Sequence, residues 1–153
     1  MGDGRAASGK GRSAYTSHRS WNMSRIRGRD TEPELRVLAA LRRLRFRTTS
    51  HVRSLSGTPD IVLPHPRVAI FVHGCYWHRH RYCNNCTTPS TNRKFWQSKF
   101  AANTRRDRKN RRALVKAGWR VAQIWECETE NEDALRNTVI TALSKLGATR
   151  RIQ

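Results

Sequence analysis

The stretch Val68 to Cys83, VAIFVHGCYWHRHRYC, decides how this chain is read. Five apolar residues, Val68 to Val72, suit a buried strand. Within the next eleven positions, His73 to Cys83, come three histidines and two cysteines, with Tyr76 and Trp77 among them. Such a density of ligands and rings is a chemical signal, because packing alone asks for neither. Upstream, Asp60 heads a second apolar run, Pro59 to Leu63, and is the sole Asp or Glu between Glu34 and Asp107. A lone carboxylate in so basic a region asks for a cation.

Composition bounds the possibilities. A chain of 153 residues with 37% hydrophobic content suits one domain with a modest core. The 31 Lys and Arg against 11 Asp and Glu give a net charge of +20. Self-repulsion of that size is tolerated where a polyanion compensates it, so nucleic acid is the expected partner. No apolar run approaches the roughly 18 residues that span a bilayer, and no hydrophobic signal core opens the chain; a soluble, intracellular protein with no membrane partner is expected. Four cysteines interleaved with histidines favour metal ligation over disulfides or free buried thiols.

Outward from the central stretch, three segments are expected: a basic Gly/Ser/Arg-rich arm over 1–22, a folded domain over 23–147 and a tail over 148–153. Thr31 with Glu34 forms a capping box, and Leu35, Leu38, Leu41 and Leu44 give an amphipathic helix over about Glu32 to Leu44. Phe46 to Val52 alternates loosely as a strand, and Asp60–Leu63 with Val68–Val72 reads as a β-hairpin. Asn92 to Ala117 has helical composition, ten Lys or Arg against one Asp, and a break near Asn110. Trp119 to Glu126 reads as a strand carrying Cys127 at its end, and Asn131 to Leu146 as a covering helix stopped by Gly147. The order implies an α/β domain on a small mixed sheet flanked by helices.

Cys75, His80, Cys83 and Cys127 have the softness of a tetrahedral zinc site, with Cys86 as an alternative to Cys83 or as part of a four-cysteine set. Asp60 at the head of its strand is a ligand for a hard divalent ion such as magnesium, although a carboxylate beside a proline is more often a turn residue. His73 and His78 would serve a metal-bound phosphate by moving protons at neutral pH. Tyr76, Trp77 and Trp96 are either local core or rings that stack on bases, and Lys99, Arg105, Arg106, Lys109 and Arg112 are candidate phosphate contacts.

Asn22-Met23, Arg29-Asp30-Thr31, Pro59-Asp60, Phe71 through His78, Phe95-Trp96, Gly118 through Val121 and Trp125-Glu126-Cys127 together resemble the very-short-patch-repair (Vsr) mismatch endonucleases. The resemblance runs over about residues 20 to 146, and the His-Gly-Cys-aromatic-Trp-His block with the distant Trp-Glu-Cys is its most specific part. It implies a restriction-endonuclease-like fold and nicking of one strand 5′ to the thymine of a T:G mismatch, the lesion left by deaminated 5-methylcytosine. It implies magnesium on Asp60 and the Val72 backbone carbonyl, His78 as general base, His73 as a second histidine at the phosphate, and Glu34 acting through water. It further implies Tyr76, Trp77 and Trp96 inserting from the major groove, Met23 and Ile26 wedging from the minor groove, and structural zinc on Cys75, His80, Cys83 and Cys127. MutL-type repair proteins as partners, a monomer on an asymmetric lesion and a place in the cytoplasm on the bacterial nucleoid come with it. Two rivals remain: a broader mismatch or restriction-type nickase on the same site, and a non-catalytic zinc-stabilised DNA-binding protein, which would leave Asp60, His73 and His78 without work.

Overall fold

In a computed structural model, residues 28–148 are described. The basic arm, Met23, Ile26 and residues 149–153 lie outside them. Along the chain come α1 (Glu32–Arg43), β1 (Thr49–Ser50), β2 (Ile61–Leu63), β3 (Val68–His73), α2 (Cys75–His78), α3 (Arg93–Lys116), β4 (Arg120–Trp125), a 3-10 turn (Glu126–Thr129) and α4 (Glu132–Lys145). The four strands form one sheet in the order β1-β2-β3-β4. β1, β2 and β3 pair antiparallel, and β4 joins β3 in parallel from Val68 beside Arg120 to His73 beside Trp125. A parallel partner needs a crossover, which α2 and α3 supply.

Strand alternation divides the core. Val68 and Ile70 of β3 and Ala122 and Ile124 of β4 face α1 and α4, where Val37, Leu41, Leu135, Val139 and Leu143 cover them. Ala69 and Val121 face the other way, with Phe71 and Trp119 beside them, and pack against Leu114 of α3. Helices on both faces explain why β3 reads as a continuous apolar run. The same alternation carries His73, two residues beyond Phe71, to the α3 face.

Several local expectations are corrected. α3 runs unbroken for 24 residues through Asn110. Asn110 is held from outside the helix: Ser56 Oγ donates to its Oδ1 at 3.2 Å. Gly57, at φ 77°, approaches so closely that a Cβ there would lie 2.6 Å from the Asn110 amide nitrogen. The Phe46–Val52 strand shrinks to Thr49–Ser50, because His51 takes a φ of 50° and leaves the ladder. The hairpin forms, but Asp60 sits just before β2 and β3 continues to His73. The last strand is trimmed to Arg120–Trp125, so that Glu126 joins Cys127 on the 3-10 turn that follows.

The capping box also differs. Thr31 precedes α1 but makes no side-chain cap. Its hydroxyl donates instead to Glu34 Oε1 at 2.7 Å, and the Asp30 N–H donates to Glu34 Oε2 at 3.0 Å. The carboxylate that should close the helix end is thereby gathered towards the cleft. At α4 the cap is regular, Asn131 Oδ1 accepting from the Ala134 N–H at 2.9 Å.

Candidate active site and metal centre

A cleft of about 1260 Å³ opens between the ends of β3 and β4, the start of α1 and one side of α3. Glu34, Asp60, Val72, His73 and His78 all line it, together with Tyr76, Trp77, Arg106 and Asp107. Asp60 Oδ2 accepts from the Val72 N–H at 2.7 Å, which ties the carboxylate to β3. Burial pushes the Asp60 carboxyl up to about 6, against the pull of that hydrogen bond, and the neighbouring Glu34 charge adds to the rise. Glu34 is itself buried, with 8% of its surface exposed. Two neighbouring carboxylates, Asp60 and Glu34, offer the hard oxygen donors that suit a divalent cation, whose charge would reverse the cost of ionising Asp60.

The histidines form a stack. His73 ends β3 and His78 ends α2, and their rings lie 3.9 Å apart, 11° from parallel. Burial, then the proximity of His78, lowers the His73 pKa to about 4, so this imidazole is neutral at pH 7. His78 Nδ1 lies 2.6 Å from Asp107 Oδ2 of α3. An ionised carboxylate only accepts hydrogen bonds, so Nδ1 carries a proton, and in the neutral ring Nε2 is the nitrogen that keeps its lone pair. Asp107 was not among the expected site residues. The signal was present, since it is the one acid among ten basic residues of that segment, but only the fold brings it 29 positions back to His78.

On the other side of α2, the ligand atoms of Cys75, His80, Cys83 and Cys127 all lie within 4.8 Å of one another. His80 Nδ1 is 3.6 Å from Cys75 Sγ and 3.4 Å from Cys127 Sγ, and its ring stacks on Trp125 at 4.2 Å. None of the four cysteines is in a disulfide. Burial raises the Cys75 thiol and pushes Cys127 up to about 12, with its sulfur neighbours adding to the rise. Three thiols and an imidazole converging on one point are a soft donor set that fits zinc, and a bound cation would draw off the thiol protons. Cys83 belongs to the cluster and Cys86 does not.

The aromatics gather where α2 meets α3. The Tyr76 ring stands edge-on to Trp77 at 5.0 Å and to Phe100 at 5.2 Å, and Trp96 lies 6.2 Å from Trp77. Asn103 donates to the Trp77 carbonyl at 3.3 Å, and the Lys99 ammonium lies 5.7 Å from the Trp77 ring centre. Tyr76, Trp77 and Trp96 are half-buried and Phe95 is exposed. The rings are therefore neither plain core nor fully free.

The basic candidates do not share one surface. Arg106 lines the cleft, while Arg105, Lys109 and Arg112 line a separate groove on α3 with Thr104 and Arg108.

The family model described as DNA mismatch endonuclease Vsr matches residues 14–85. Type II nicking enzyme V.XorIIP of Xanthomonas oryzae pv. oryzae is 40% identical over 117 residues, 76% of this chain and 85% of that protein. This chain belongs to the Vsr family. DNA mismatch endonuclease Vsr of Escherichia coli K12 is 39% identical over 125 residues, 80% of this chain and 78% of that protein. Type II nicking enzyme V.NmeAIP of Neisseria meningitidis serogroup A is 39% identical over 121 residues, 79% of this chain and 86% of that protein. As a Vsr protein it is a DNA mismatch endonuclease, a hydrolase that nicks DNA, and its α/β architecture is the restriction-endonuclease-like one. A Vsr nuclease implies a divalent metal, for which the cleft offers oxygen ligands. Among the described residues no helix is long and apolar enough to cross a membrane.

Proposed function

We propose that the protein nicks one strand 5′ to the thymine of a T:G mismatch, with magnesium bound in the cleft and zinc in the Cys75, His80, Cys83, Cys127 cluster. The observation that carries the reading is the opening of Asp60 and the His78–Asp107 pair into one cleft, with Tyr76 and Trp77 on its wall. Asp60 and the Val72 carbonyl would hold the magnesium ion, with Glu34 acting through water. When bound, that ion stabilises negative charge on the scissile phosphate. His78 Nε2 takes the proton of the attacking water, and Asp107 keeps the ring in the tautomer that leaves Nε2 free. His73, neutral and buried against His78, fixes the plane of that ring, and Arg106 faces the developing charge from α3.

Tyr76, Trp77 and Trp96 enter the stack beside the mismatch, where a weak base step costs less to open, a few kcal/mol per step. Met23 and Ile26 wedge from the opposite groove. Lys99 and Arg106 contact phosphates near the cleft, while Arg105, Lys109 and Arg112 serve flanking DNA from their own groove. MutL-type proteins would follow the nick, the enzyme acting as a monomer in the cytoplasm on the nucleoid. A broader nickase remains the second reading, because several relatives are named type II nicking enzymes.

Labelled duplexes that differ only in T:G, T:A, C:G or another mismatch at one position, with magnesium or with chelator, separate the readings. A magnesium-dependent cut 5′ to the mismatched thymine is expected. Cutting of several mismatches or of matched DNA would favour the broader enzyme, and binding without a cut would remove the catalytic assignment. Asp107→Asn should slow single-turnover nicking about 10²–10⁴-fold, the span of a lost general base, without changing duplex affinity. An amide there can donate to Nδ1 and select the wrong tautomer; an unchanged rate would leave Asp107 a surface partner only.

A further inference from the structure

His51 has no part in the function proposed above, yet it is bonded to both sides of the carboxylate end of the cleft. Its backbone N–H donates to the Asp60 carbonyl at 3.1 Å, one step beyond the last β1–β2 rung, Ser50 with Ile61. There the chain takes a φ of 50°. For a residue with a Cβ this conformation costs on the order of 1–3 kcal/mol and persists only where the surroundings hold it.

The imidazole is what the turn delivers. Nε2 lies 3.2 Å from Asp30 Oδ1 and 3.7 Å from Glu34 Oε2, with 15% of the side chain exposed. Asp30 and Glu34 are joined in turn, the Asp30 N–H donating to Glu34 Oε2 at 3.0 Å. One residue thereby links the segment before α1, the buried Glu34 and the backbone of Asp60, which are separate stretches of chain. Nε2 must be the donor to Asp30, since an ionised carboxylate offers no hydrogen. His51 is not among the residues lining the cleft, so it acts through its neighbours and not on the substrate.

We propose that His51 is a positioning residue that holds Glu34 and Asp60 in the arrangement a divalent cation requires. The proposal rests on the reading of Asp60 as a metal ligand. Partners that orient metal ligands from behind are worth about 10–100-fold in metal affinity or activity when removed.

The test is Mn²⁺ binding to the full chain, followed by electron paramagnetic resonance, for wild type, His51→Ala, His51→Gln, Asp30→Ala and Asp60→Ala, beside duplex affinity in chelator. His51→Ala should weaken Mn²⁺ binding about tenfold and leave duplex affinity within about twofold. His51→Gln, whose amide N–H can replace the ring donor, should recover most of the loss. Wild-type Mn²⁺ affinity in His51→Ala, with loss in Asp60→Ala, would overturn the positioning role and leave the metal reading standing. Undiminished binding in Asp60→Ala would overturn the metal reading itself. If His51→Ala does not fold, Asp30→Ala decides: a several-fold loss supports the circuit, and no change overturns it.

Discussion

Asp60→Asn should abolish nicking, by about 10³-fold or more, and yet raise the melting temperature of the magnesium-free protein at pH 7. The first effect follows from removing an ionised ligand whose metal provides several kcal/mol of charge stabilisation, each 1.36 kcal/mol being about tenfold in rate. The second follows from burial. A carboxyl raised from 3.8 to about 6 binds more protons in the folded chain than in the unfolded chain between those values. Stability of the magnesium-free protein therefore falls as pH rises from about 4 to about 6 and stays at the lower level above it. Asparagine keeps an acceptor for the Val72 N–H but carries no charge to desolvate. Relief of up to about 3 kcal/mol would raise the melting temperature by as much as about 6–12 °C at pH 7. Below about pH 3 the difference should vanish, because the wild-type carboxyl is then protonated in both states. Retained nicking would remove Asp60 from metal binding, and a lower melting temperature at pH 7 would show that the charge is not strained.

Cys83→Ala and Cys86→Ala should behave as opposites. The structure places the Cys83 sulfur with those of Cys75 and Cys127 and the His80 ring, and leaves Cys86 out. Structural zinc contributes apparent binding energies of about 10–16 kcal/mol in small domains, so loss of one ligand is a large effect. Cys83→Ala should purify with less than one zinc per chain, melt lower by at least about 10 °C and nick poorly. Cys86→Ala should keep one zinc and melt like wild type. Zinc analysis of the two purified variants, with thermal melts, checks this. Zinc lost from Cys86→Ala and kept in Cys83→Ala would reverse the ligand assignment. The cluster joins the loop after β3 to the turn after β4, so its loss should disturb the setting of Tyr76, Trp77 and His78 as well.

Much of this was legible along the chain, because the signals were local. The apolar run Val68 to Val72, the hairpin with Ile61 to Leu63 and the flanking amphipathic helices were set by periodicity and burial. The sparse chemistry of Asp60, His73, His78 and the cysteines stood out against so basic a composition. What periodicity could not show was which residues meet across the fold. Asn110 reads as a break until Ser56 and Gly57 of a distant loop pack on it. Cys83 and Cys86 are equal as sequence, and only the position of Cys127, 44 residues beyond Cys83, separates them.

The arginines and lysines of α3 look like one basic face until the helix is docked and turns Arg106 to the cleft and Arg105, Lys109 and Arg112 away from it. Asp107 and His51 enter the proposed site only through partners on other elements, His78 in the one case and Asp30, Glu34 and the Asp60 backbone in the other. Hydrophobic period and side-chain type were enough for β2, β3, β4, the presence of the three long helices and the kind of chemistry, but not for the two-residue β1 or the short α2. The tertiary structure decided which carboxylate orients which imidazole and which thiol completes the cluster. Hydrogen bonds and ligand sets depend on distances of a few ångströms between residues tens of positions apart, and the crossover through α2 and α3 and the docking of α1 on the sheet set those distances.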